Sequence, residues 1–429
     1  MTAAADIHPK TVRGVTRIAR NAKAAAARLA TTSTAEKDAA LQAIADGLRE
    51  SSARIVKANE ADLAAGVENG MSESLLDRLR LDEARIAAIA DSVEQVIDIP
   101  DPVGTTVLGR TLPNGIRLTQ SRVPMGVIGA IYEARPNVTV DIAILALKAG
   151  NATILRGGSA AEHSNAELVA VLRRAVESVR LPADTINTID QYGREGASVL
   201  MNSRDYVDLL IPRGGADLIN AVVQDSIVPV IETGIGNVHM FIDSSATVKN
   251  AVDLVLNSKT QRPSVCNSLE TLLVHEKAAK RVLPKILERL EAAGVVVHAD
   301  ADVAALAPES MRIRRVSRRD WAKEYLDLEL AVKLVSGIDE AIEHIRAYTS
   351  GHTEVIVTKD IDNAETFVTA IDAAAVGVNV STRFTDGGEF GFGAEVGIST
   401  QKLHARGPMG VEQLTTTKWI MQGNGQIRD

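Results

Sequence analysis

Short aliphatic runs alternate with segments of helical periodicity from residue 127 to residue 379, and this alternation is the strongest constraint on the fold. An apolar run at 127–131 precedes a helical pattern at 138–148, which precedes a second apolar run at 152–155. Strands that alternate with helices at this spacing form parallel sheets covered by helices on both faces. Hydrophobic residues make up 45% of the chain and aromatic residues 3%, so the core is aliphatic, as in α/β proteins.

The alternation falls into two successive series. The first adds predicted strands at 185–189, 207–211 and 228–231, with predicted helices at 160–179 and 216–223. The second contains predicted strands at 240–242, 271–274, 295–297, 332–335, 355–357 and 375–379. Two successive α/β units predict a two-lobed protein with a ligand-binding cleft between the lobes.

The segments outside the two series predict an N-terminal helical region and a β-hairpin. Residues 10–99 show helical patterns only, and Ser33 with Glu36 has the spacing of a capping box at a helix start. Strand-like runs at 105–111 and 116–123 flank Asn114 and Gly115, which predicts a tight turn with positive φ at both central residues. An exposed hairpin is expected to pack on a partner subunit or on another domain. The alternating segment 413–420 predicts one more strand.

Cys266 is the single cysteine among 429 residues. One thiol excludes an intrachain disulfide and a multi-thiolate metal site, but it can act as a nucleophile towards a carbonyl carbon. By residue type, a buried and unreactive side chain is the alternative. The eight histidines are scattered without the spacing of metal ligands, so no metal site is expected.

Charge and hydropathy exclude several classes of partner. The net charge is −8 and the sequence pI is about 5.6, without a basic stripe, so nucleic acid is not expected to bind. The apolar stretches are too short for a membrane span, and residues 1–6 do not begin a secretion signal. Together with an unpaired thiol, these features predict a cytoplasmic protein.

Two predicted turns between a strand and a helix carry glycine pairs after an arginine. Arg156 precedes Gly157 and Gly158, and Arg213 precedes Gly214 and Gly215. Amides at a helix N-terminus can bind an anion, and an arginine can add charge-assisted bonds to a phosphate. Ordinary turn chemistry is the alternative for each pair.

Glu232 ends the predicted strand at 228–231 and is followed by a glycine-rich segment. A carboxylate at the carboxyl end of a strand suits the crevice of an α/β sheet. A helix cap or a solvated loop charge explains the same residue.

Several of these features resemble the aldehyde dehydrogenase superfamily. Glu232 and Cys266 lie 34 residues apart, similar to the family spacing, and the segments 124–129 and 149–153 resemble its strand entries. Within the superfamily the chain is closest to the γ-glutamyl phosphate reductase family, on the stretches 76–79, 132–139, 261–267, 344–354 and 384–395. The resemblance implies an aldehyde dehydrogenase-like α/β fold of two parallel-sheet domains plus a small β oligomerisation flap.

The resemblance implies a domain for each function. Residues 1–104 and 125–235 are expected to bind the cofactor, residues 236–400 to carry the catalytic thiol, and residues 105–124 with 401–429 to form the oligomerisation element. A homodimer or a higher homo-oligomer is expected, and so is a transient contact with glutamate 5-kinase.

It also implies an activity. L-Glutamyl 5-phosphate is reduced by NADPH to L-glutamate 5-semialdehyde with release of phosphate, a step of L-proline biosynthesis. Cys266 attacks the acyl phosphate, and hydride reduces the resulting thioester. A nearby positive charge such as Arg262 is expected to raise the thiolate fraction.

The roles of the remaining residues follow from their match to the family. Asn137 corresponds to the oxyanion-hole asparagine, although an ungapped alignment places Arg135 there. Ser159 stands where an acidic residue would repel a 2′-phosphate, which favours NADP over NAD. The implied cofactor-binding residues are Arg156, Gly157, Ser159, Gly214, Gly215, Glu232 and Glu324, with Glu329 competing for the place of Glu324, and the implied substrate-binding residues are Arg135, Arg262 and Arg383.

Two other functions remain open at this point. A hydrolytic, NAD(P)-dependent semialdehyde dehydrogenase would require Glu232 to activate water, which a reductase does not need. A non-catalytic α/β binding scaffold would keep Cys266 buried and unreactive.

Overall fold

A computed structural model describes residues 7–133 and 135–428 of the chain. The expectation about a secretion signal rests on residues 1–6, which lie outside that part. The α-helices of the described residues are α1 (Pro9–Leu29), α2 (Thr34–Glu50), α3 (Ser52–Glu68), α4 (Glu73–Leu79), α5 (Glu83–Asp98), α6 (Pro136–Lys148), α7 (Glu162–Ser178), α8 (Gly193–Met201), α9 (Ala216–Asp225), α10 (Val248–Thr260), α11 (Glu276–Ala292), α12 (Ala301–Ala304), α13 (Ile338–Tyr348) and α14 (Ile361–Ala370). None of these described helices combines the length and the apolar character that crossing a bilayer requires.

The strands alternate with these helices as the periodicity predicts. They are β1 (Thr106–Thr111), β2 (Arg117–Pro124), β3 (Val127–Tyr132), β4 (Ala152–Arg156), β5 (Ile186–Thr188), β6 (Leu209–Arg213), β7 (Val238–Ile242), β8 (Leu269–His275), β9 (Val296–Ala299), β10 (Ile313–Arg315), β11 (Glu329–Val335), β12 (Thr353–Val357), β13 (Ala375–Val378), β14 (Ile398–Ser399), β15 (Gly407–Pro408) and β16 (Thr415–Gln422).

The chain packs into two compact units. The first unit contains the described residues up to Thr233 together with Gly391–Gly397 and residues 409–428. The second unit contains Gly234–Phe390 and Ile398–Pro408. The chain therefore returns to the first unit twice after residue 390.

Five helices, α1 to α5, open the first unit. The capping box predicted for α2 is confirmed, because Ser33 accepts from the backbone of Glu36 and the Glu36 carboxylate accepts from the backbone of Ser33. These bonds satisfy backbone donors that have no partner inside the helix.

The first unit has a four-stranded parallel sheet in the order β5-β4-β3-β6. Strand β3 is buried throughout, as its aliphatic sequence requires. The predicted strand at 228–231 is wrong: Val230 forms only an isolated parallel bridge with Leu210. Pro229 has no N–H to donate, so a full ladder cannot form across it.

A separate three-stranded antiparallel sheet, in the order β1-β2-β16, contains the predicted hairpin and the predicted C-terminal strand. The two-residue turn is wrong, because Gly115 has a φ of 86° whereas Asn114 is not among the residues with positive φ. Leu112 instead accepts from the amide of Gly115 at 2.9 Å and donates to Ile116 at 2.8 Å. This is the three-residue loop in which a glycine forms the bulge.

The second unit has a seven-stranded parallel sheet in the order β10-β9-β11-β8-β7-β12-β13. One apolar cluster includes Met240, Val274 and Leu283, and a second includes Phe241, Ile345 and Phe367. The alternation of buried side chains on β7 thus sends neighbouring residues into different clusters. These parallel sheets confirm the predicted α/β class.

Candidate active site

Cys266 lies in the second unit, in the turn that joins helix α10 to strand β8. The turn is closed by a bond from the amide of Ser268 to the carbonyl of Val265, at 3.0 Å. The thiol residue is partly exposed, although Leu269 and the rest of β8 are buried. A partly exposed cysteine in the turn before a buried strand can meet a substrate, unlike the buried thiol of the scaffold alternative.

Asn267 fixes this turn to the segment at 382–385. Its side-chain amide donates to the carbonyl of Thr385 at 2.9 Å and to that of Arg383 at 3.4 Å. Thr382 donates its hydroxyl back to the carbonyl of Asn267 at 2.6 Å. The residue next to the thiol is therefore held by both its side chain and its backbone.

Glu324 is placed beside the same turn through Gly236. Its carboxylate accepts from the amide of Gly236 at 2.7 Å, and burial raises the pKa of Glu324 while that bond opposes the rise. The competing candidate, Glu329, instead accepts from His298 at 2.5 Å and from Arg314 at 3.2 Å. The two glutamates therefore belong to different networks, and Glu324 is the one that contacts the backbone near Cys266.

A buried ion pair underlies the site. Lys259 and Glu270 are 0% exposed, and their charged atoms lie 3.0 Å apart. Burial lowers the pKa of Lys259 and raises the pKa of Glu270 to about 7. The carboxylate also accepts from the amide of Leu326 at 3.3 Å, so the pair supports the loop that carries Glu324.

Neither Lys259 nor Glu270 was predicted as a site residue. Lys259 follows Val252 and Val255 at helical spacing on the buried face of α10. A lysine on an apolar stripe was the available signal, because lysine is rarely buried without a partner. Its partner lies on a strand, so helical periodicity could not identify it.

Arg383 and Arg262, both predicted to bind substrate, belong to one charged group in the second unit. Arg383 donates its Nε to the side chain of Gln261 at 2.8 Å. Burial lowers the pKa of Arg383, Arg262 lowers it further, and the charges of Asp386 and Cys266 oppose the shift. Arg383 therefore lies close enough to Arg262 and to the thiol to interact electrostatically with each of them.

In the first unit, Asn137 lies in the first turn of α6. Its side-chain amide donates to Asp141 at 3.0 Å, one helical turn later. Burial raises the pKa of Asp141 to about 6, while the bond from Asn137 and the charge of Arg213 oppose the rise. Asp141 therefore orients the amide of Asn137. Arg135, the alternative, immediately precedes the helix as its N-cap residue.

Both glycine turns already hold internal carboxylates. The amide of Gly157 donates to Asp190 at 2.7 Å, and the amide of Gly215 donates to Glu133 at 3.1 Å. Neither amide is therefore open to a ligand in the way that the turn sequence suggests. A Cβ at position 214 would lie 2.7 Å from the carboxyl carbon of Glu133, so a larger residue there would make this side chain shift.

The other predicted cofactor residues lie at the ends of the strands. Arg156 ends β4, and its Nε is buried without a hydrogen-bond partner among the described residues. Ser159 begins the short 3-10 turn before α7 and lines a cavity of about 280 Å³ with Arg135, Arg78 and Glu133. Arg78 was not predicted as a site residue, and the available signal was its place in the stretch 76–79 that resembles the family.

Glu232 follows the isolated bridge of Val230 and is partly exposed. It lies in a loop and not at a helix N-terminus, so the helix-cap explanation is wrong. Across the part of the chain that the structure describes, no group of three His, Cys, Asp or Glu residues could hold a metal ion.

Three comparisons relate this chain to known proteins. The model of the aldehyde dehydrogenase family matches residues 2–316. The γ-glutamyl phosphate reductase of Kineococcus radiotolerans is 57% identical over 412 residues, covering 96% of this chain and 95% of the relative. The corresponding enzyme of Leifsonia xyli is 57% identical over 407 residues, covering 95% of this chain and 96% of the relative.

Solved structures agree with the sequence relatives. The crystal structure of the γ-glutamyl phosphate reductase of Thermotoga maritima superimposes with a TM-score of 0.94 at 46% identity, covering 97% of this chain and 100% of that chain. An acetylating aldehyde dehydrogenase of Geobacillus thermoglucosidasius gives a TM-score of 0.71 at 21% identity, covering 99% of this chain and 100% of that chain. The second match supports the fold only.

Proposed function

The chain belongs to the aldehyde dehydrogenase family and, within it, to the γ-glutamyl phosphate reductase group, and from this membership we propose that it reduces L-glutamyl 5-phosphate to L-glutamate 5-semialdehyde with NADPH in L-proline biosynthesis. The observation that carries the proposal is the partly exposed Cys266 in a turn that Asn267 anchors through both its side chain and its backbone carbonyl. A thiol so placed suits attack on an acyl phosphate, whose phosphate is a good leaving group.

The chemistry begins at the sulfur. The thiolate of Cys266 attacks the C5 carbonyl of the substrate, the carbonyl π electrons move to oxygen, and their return expels phosphate to leave a thioester. Bound cofactor supplies the hydride that reduces the thioester carbonyl. The resulting thiohemiacetal releases the aldehyde and restores the thiolate. Arg262 and Arg383 favour the thiolate because positive charge lowers the pKa of a nearby thiol.

Asn137 is proposed as the donor to the oxyanion. A single such donor contributes about 3 kcal/mol to lowering the barrier. Its support is the bond to Asp141, which holds one N–H of the amide and fixes the direction of the other. Arg135, the alternative, is instead proposed to bind substrate, as are Arg262 and Arg383.

The residues of the first unit fit a phosphorylated dinucleotide. Arg156 has a buried Nε that finds no acceptor among the described residues, and Ser159 lines a cavity that also has two arginines. We assign Arg156, Gly157, Ser159, Gly214, Gly215, Glu232 and Glu324 to cofactor binding. Because Asp190 and Glu133 hold the amides of Gly157 and Gly215, these two glycines are proposed to leave room for the cofactor and not to donate to it. NADPH is preferred because Ser159 adds no negative charge that would repel a 2′-phosphate.

The reverse reaction tests the proposal. Purified protein receives L-glutamate 5-semialdehyde and NADP, with and without inorganic phosphate, and NADPH formation is followed. We expect turnover that requires phosphate, because the thioester must be released as an acyl phosphate. Phosphate-independent formation of glutamate would instead identify the hydrolytic enzyme, and no turnover with an unreactive thiol would identify the scaffold.

The assembly and the location are proposed with the activity. Strand β1 is exposed along its whole length, and Trp419 and Met421 are exposed on β16. An open sheet with exposed apolar side chains favours pairing with another copy, so we propose a homodimer or a higher homo-oligomer. We also propose a cytoplasmic location and transient contact with glutamate 5-kinase. Light scattering on the protein as it elutes from a gel-filtration column measures the mass of the assembly. A mass of one chain would contradict the proposed homo-oligomer.

A further inference from the structure

A small cavity in the second unit is lined in part by Arg383, which the proposed function assigns to substrate binding. Its volume is about 210 Å³. It is lined by Asn257, Gln261, Arg383, Phe384, Asp386 and Glu389. Pockets for whole ligands usually have volumes of about 300–1,000 Å³, so this cavity fits one part of a ligand.

The cavity is connected to the nucleophile by direct contacts. Asn267, which follows Cys266, donates its side-chain amide to the carbonyl of Arg383, and Arg383 lines the cavity. The charge of Cys266 also acts on the guanidinium of Arg383. A ligand in the cavity would therefore lie near the thiol of the same unit.

The lining combines one cation with two anions. Arg383 is held by Gln261, and its buried Nη1 has no acceptor among the described residues. Guanidinium groups bind carboxylates through parallel hydrogen bonds. Asp386 accepts from the amide of Gly388 at 2.9 Å, which fixes its carboxylate at the cavity, and Glu389 adds a second carboxylate with an exposed side chain.

This charge pattern selects one class of ligand. A phosphate dianion would meet Arg383 but would be repelled by Asp386 and Glu389, so the phosphate of the substrate does not fit. An α-amino acid carries a carboxylate and an ammonium group on the same carbon. Both of its charges find opposite charges in the cavity.

We infer that this cavity binds the α-amino-acid head group of the substrate, with Arg383 on the carboxylate and with Asp386 and Glu389 on the ammonium group. The inference rests on the proposed function, because it places the head group of a glutamyl substrate whose C5 reacts at Cys266. It makes Asp386 and Glu389 specificity-determining residues.

The experiment compares two aldehydes in the phosphate-dependent reverse assay. L-Glutamate 5-semialdehyde has both charged groups, whereas 5-oxopentanoate lacks only the amino group. We expect wild-type kcat/KM to favour the amino substrate by about 100-fold, because the site leaves two carboxylates unpaired with the other substrate. Asp386→Asn keeps an acceptor for Gly388 and should narrow this preference to less than about fivefold.

Two further variants separate binding from folding. Glu389→Gln changes an exposed side chain and should narrow the preference by about three- to tenfold, whereas Arg383→Gln should lower kcat/KM for both aldehydes alike, since both carry the carboxylate. Glu365→Gln, an exposed carboxylate on α14, is the matched control and should keep the wild-type ratio.

The outcomes distinguish the inference from the proposed function. Phosphate-dependent turnover with an unchanged preference in both Asp386→Asn and Glu389→Gln would overturn the inference and leave the function standing. Wild-type protein without phosphate-dependent turnover on either aldehyde would overturn the function and the inference with it. A preference that narrows in the two variants and stays wide in Glu365→Gln would establish the head-group site.

Discussion

Gly236 lies so close to Cys266 that a Cβ at position 236 would overlap the backbone carbonyl of Cys266. The amide of Gly236 is held by the carboxylate of Glu324 at 2.7 Å. The nucleophile, the glycine and the glutamate therefore form one chain of contacts. The position of the sulfur depends on the absence of a side chain at residue 236.

We expect Gly236→Ala to displace the turn of Cys266, because neither the backbone at residue 236 nor that at residue 266 can move without breaking hydrogen bonds around it. Activity should fall at least 100-fold and the free energy of unfolding by about 2–3 kcal/mol. Steady-state kinetics and urea unfolding measure the two effects. Gly337→Ala is the control, since a Cβ there meets nothing within 4 Å; equal losses in both variants would refute the steric explanation.

Replacing Cys266 by serine should lower kcat at least about 10³-fold, because the hydroxyl is a far weaker nucleophile at neutral pH. The residue is partly exposed, so the free energy of unfolding should change by less than about 0.5 kcal/mol. Mass spectrometry after acid quenching should detect an acyl adduct on the wild-type chain and none on the variant. Near-normal turnover by the variant would exclude the thioester.

Lys259→Met should leave the carboxylate of Glu270 buried without its partner. Breaking a buried pair at one member costs about 3–5 kcal/mol of stability. The double variant Lys259→Met with Glu270→Leu should recover most of that loss, because it removes both buried charges. Urea unfolding of the wild type and the three variants, including Glu270→Leu, gives the coupling free energy; a coupling near zero would contradict the pairing.

The raised pKa of Asp141 predicts a pH dependence of the free energy of unfolding. Burial raises its pKa from the ordinary 3.8 to about 6 in the folded state. Between these values the folded state binds more protons than the unfolded state, so this group's contribution to stability falls as the pH rises through that window. Asp141→Asn should remove this group's contribution to the pH dependence of the free energy of unfolding. The variant should be more stable than the wild type at pH 7.5, by about 1–2 kcal/mol.

Unfolding at pH 4.5, 6 and 7.5 checks this expectation for Asp141. The matched control is Asp362→Asn, an exposed carboxylate in the first turn of α14. A wild-type-like slope in Asp141→Asn would show that another group carries the dependence.

The α/β class and the order of elements could be predicted from the sequence because burial on both faces leaves aliphatic runs of strand length. The capping box of Ser33 and Glu36 was also predictable, since its partners lie three residues apart. The strand predicted at 228–231 does not form because Pro229 lacks the backbone N–H that a ladder needs. The aliphatic composition of the segment suggested a strand in spite of this proline.

The site was less predictable because its decisive contacts join distant segments. The amides of Gly157 and Gly215 looked open in sequence, but Asp190 and Glu133 come from other turns. The contact of Gly236 with the backbone of Cys266 could not be predicted from the sequence around either residue. Tertiary pairings of this kind follow from the topology and not from periodicity.

The pairing of strands β2 and β16 has a consequence for synthesis of the chain. Gln120 and Thr417, joined by a side-chain hydrogen bond in this pair, are 297 residues apart. At about 5–20 residues per second, a ribosome needs about 15–60 s to translate that interval. The nascent hairpin therefore presents the unpaired edge of β2 for most of translation. A chain truncated before residue 415 lacks β16, so the edge of β2 stays open to aggregation.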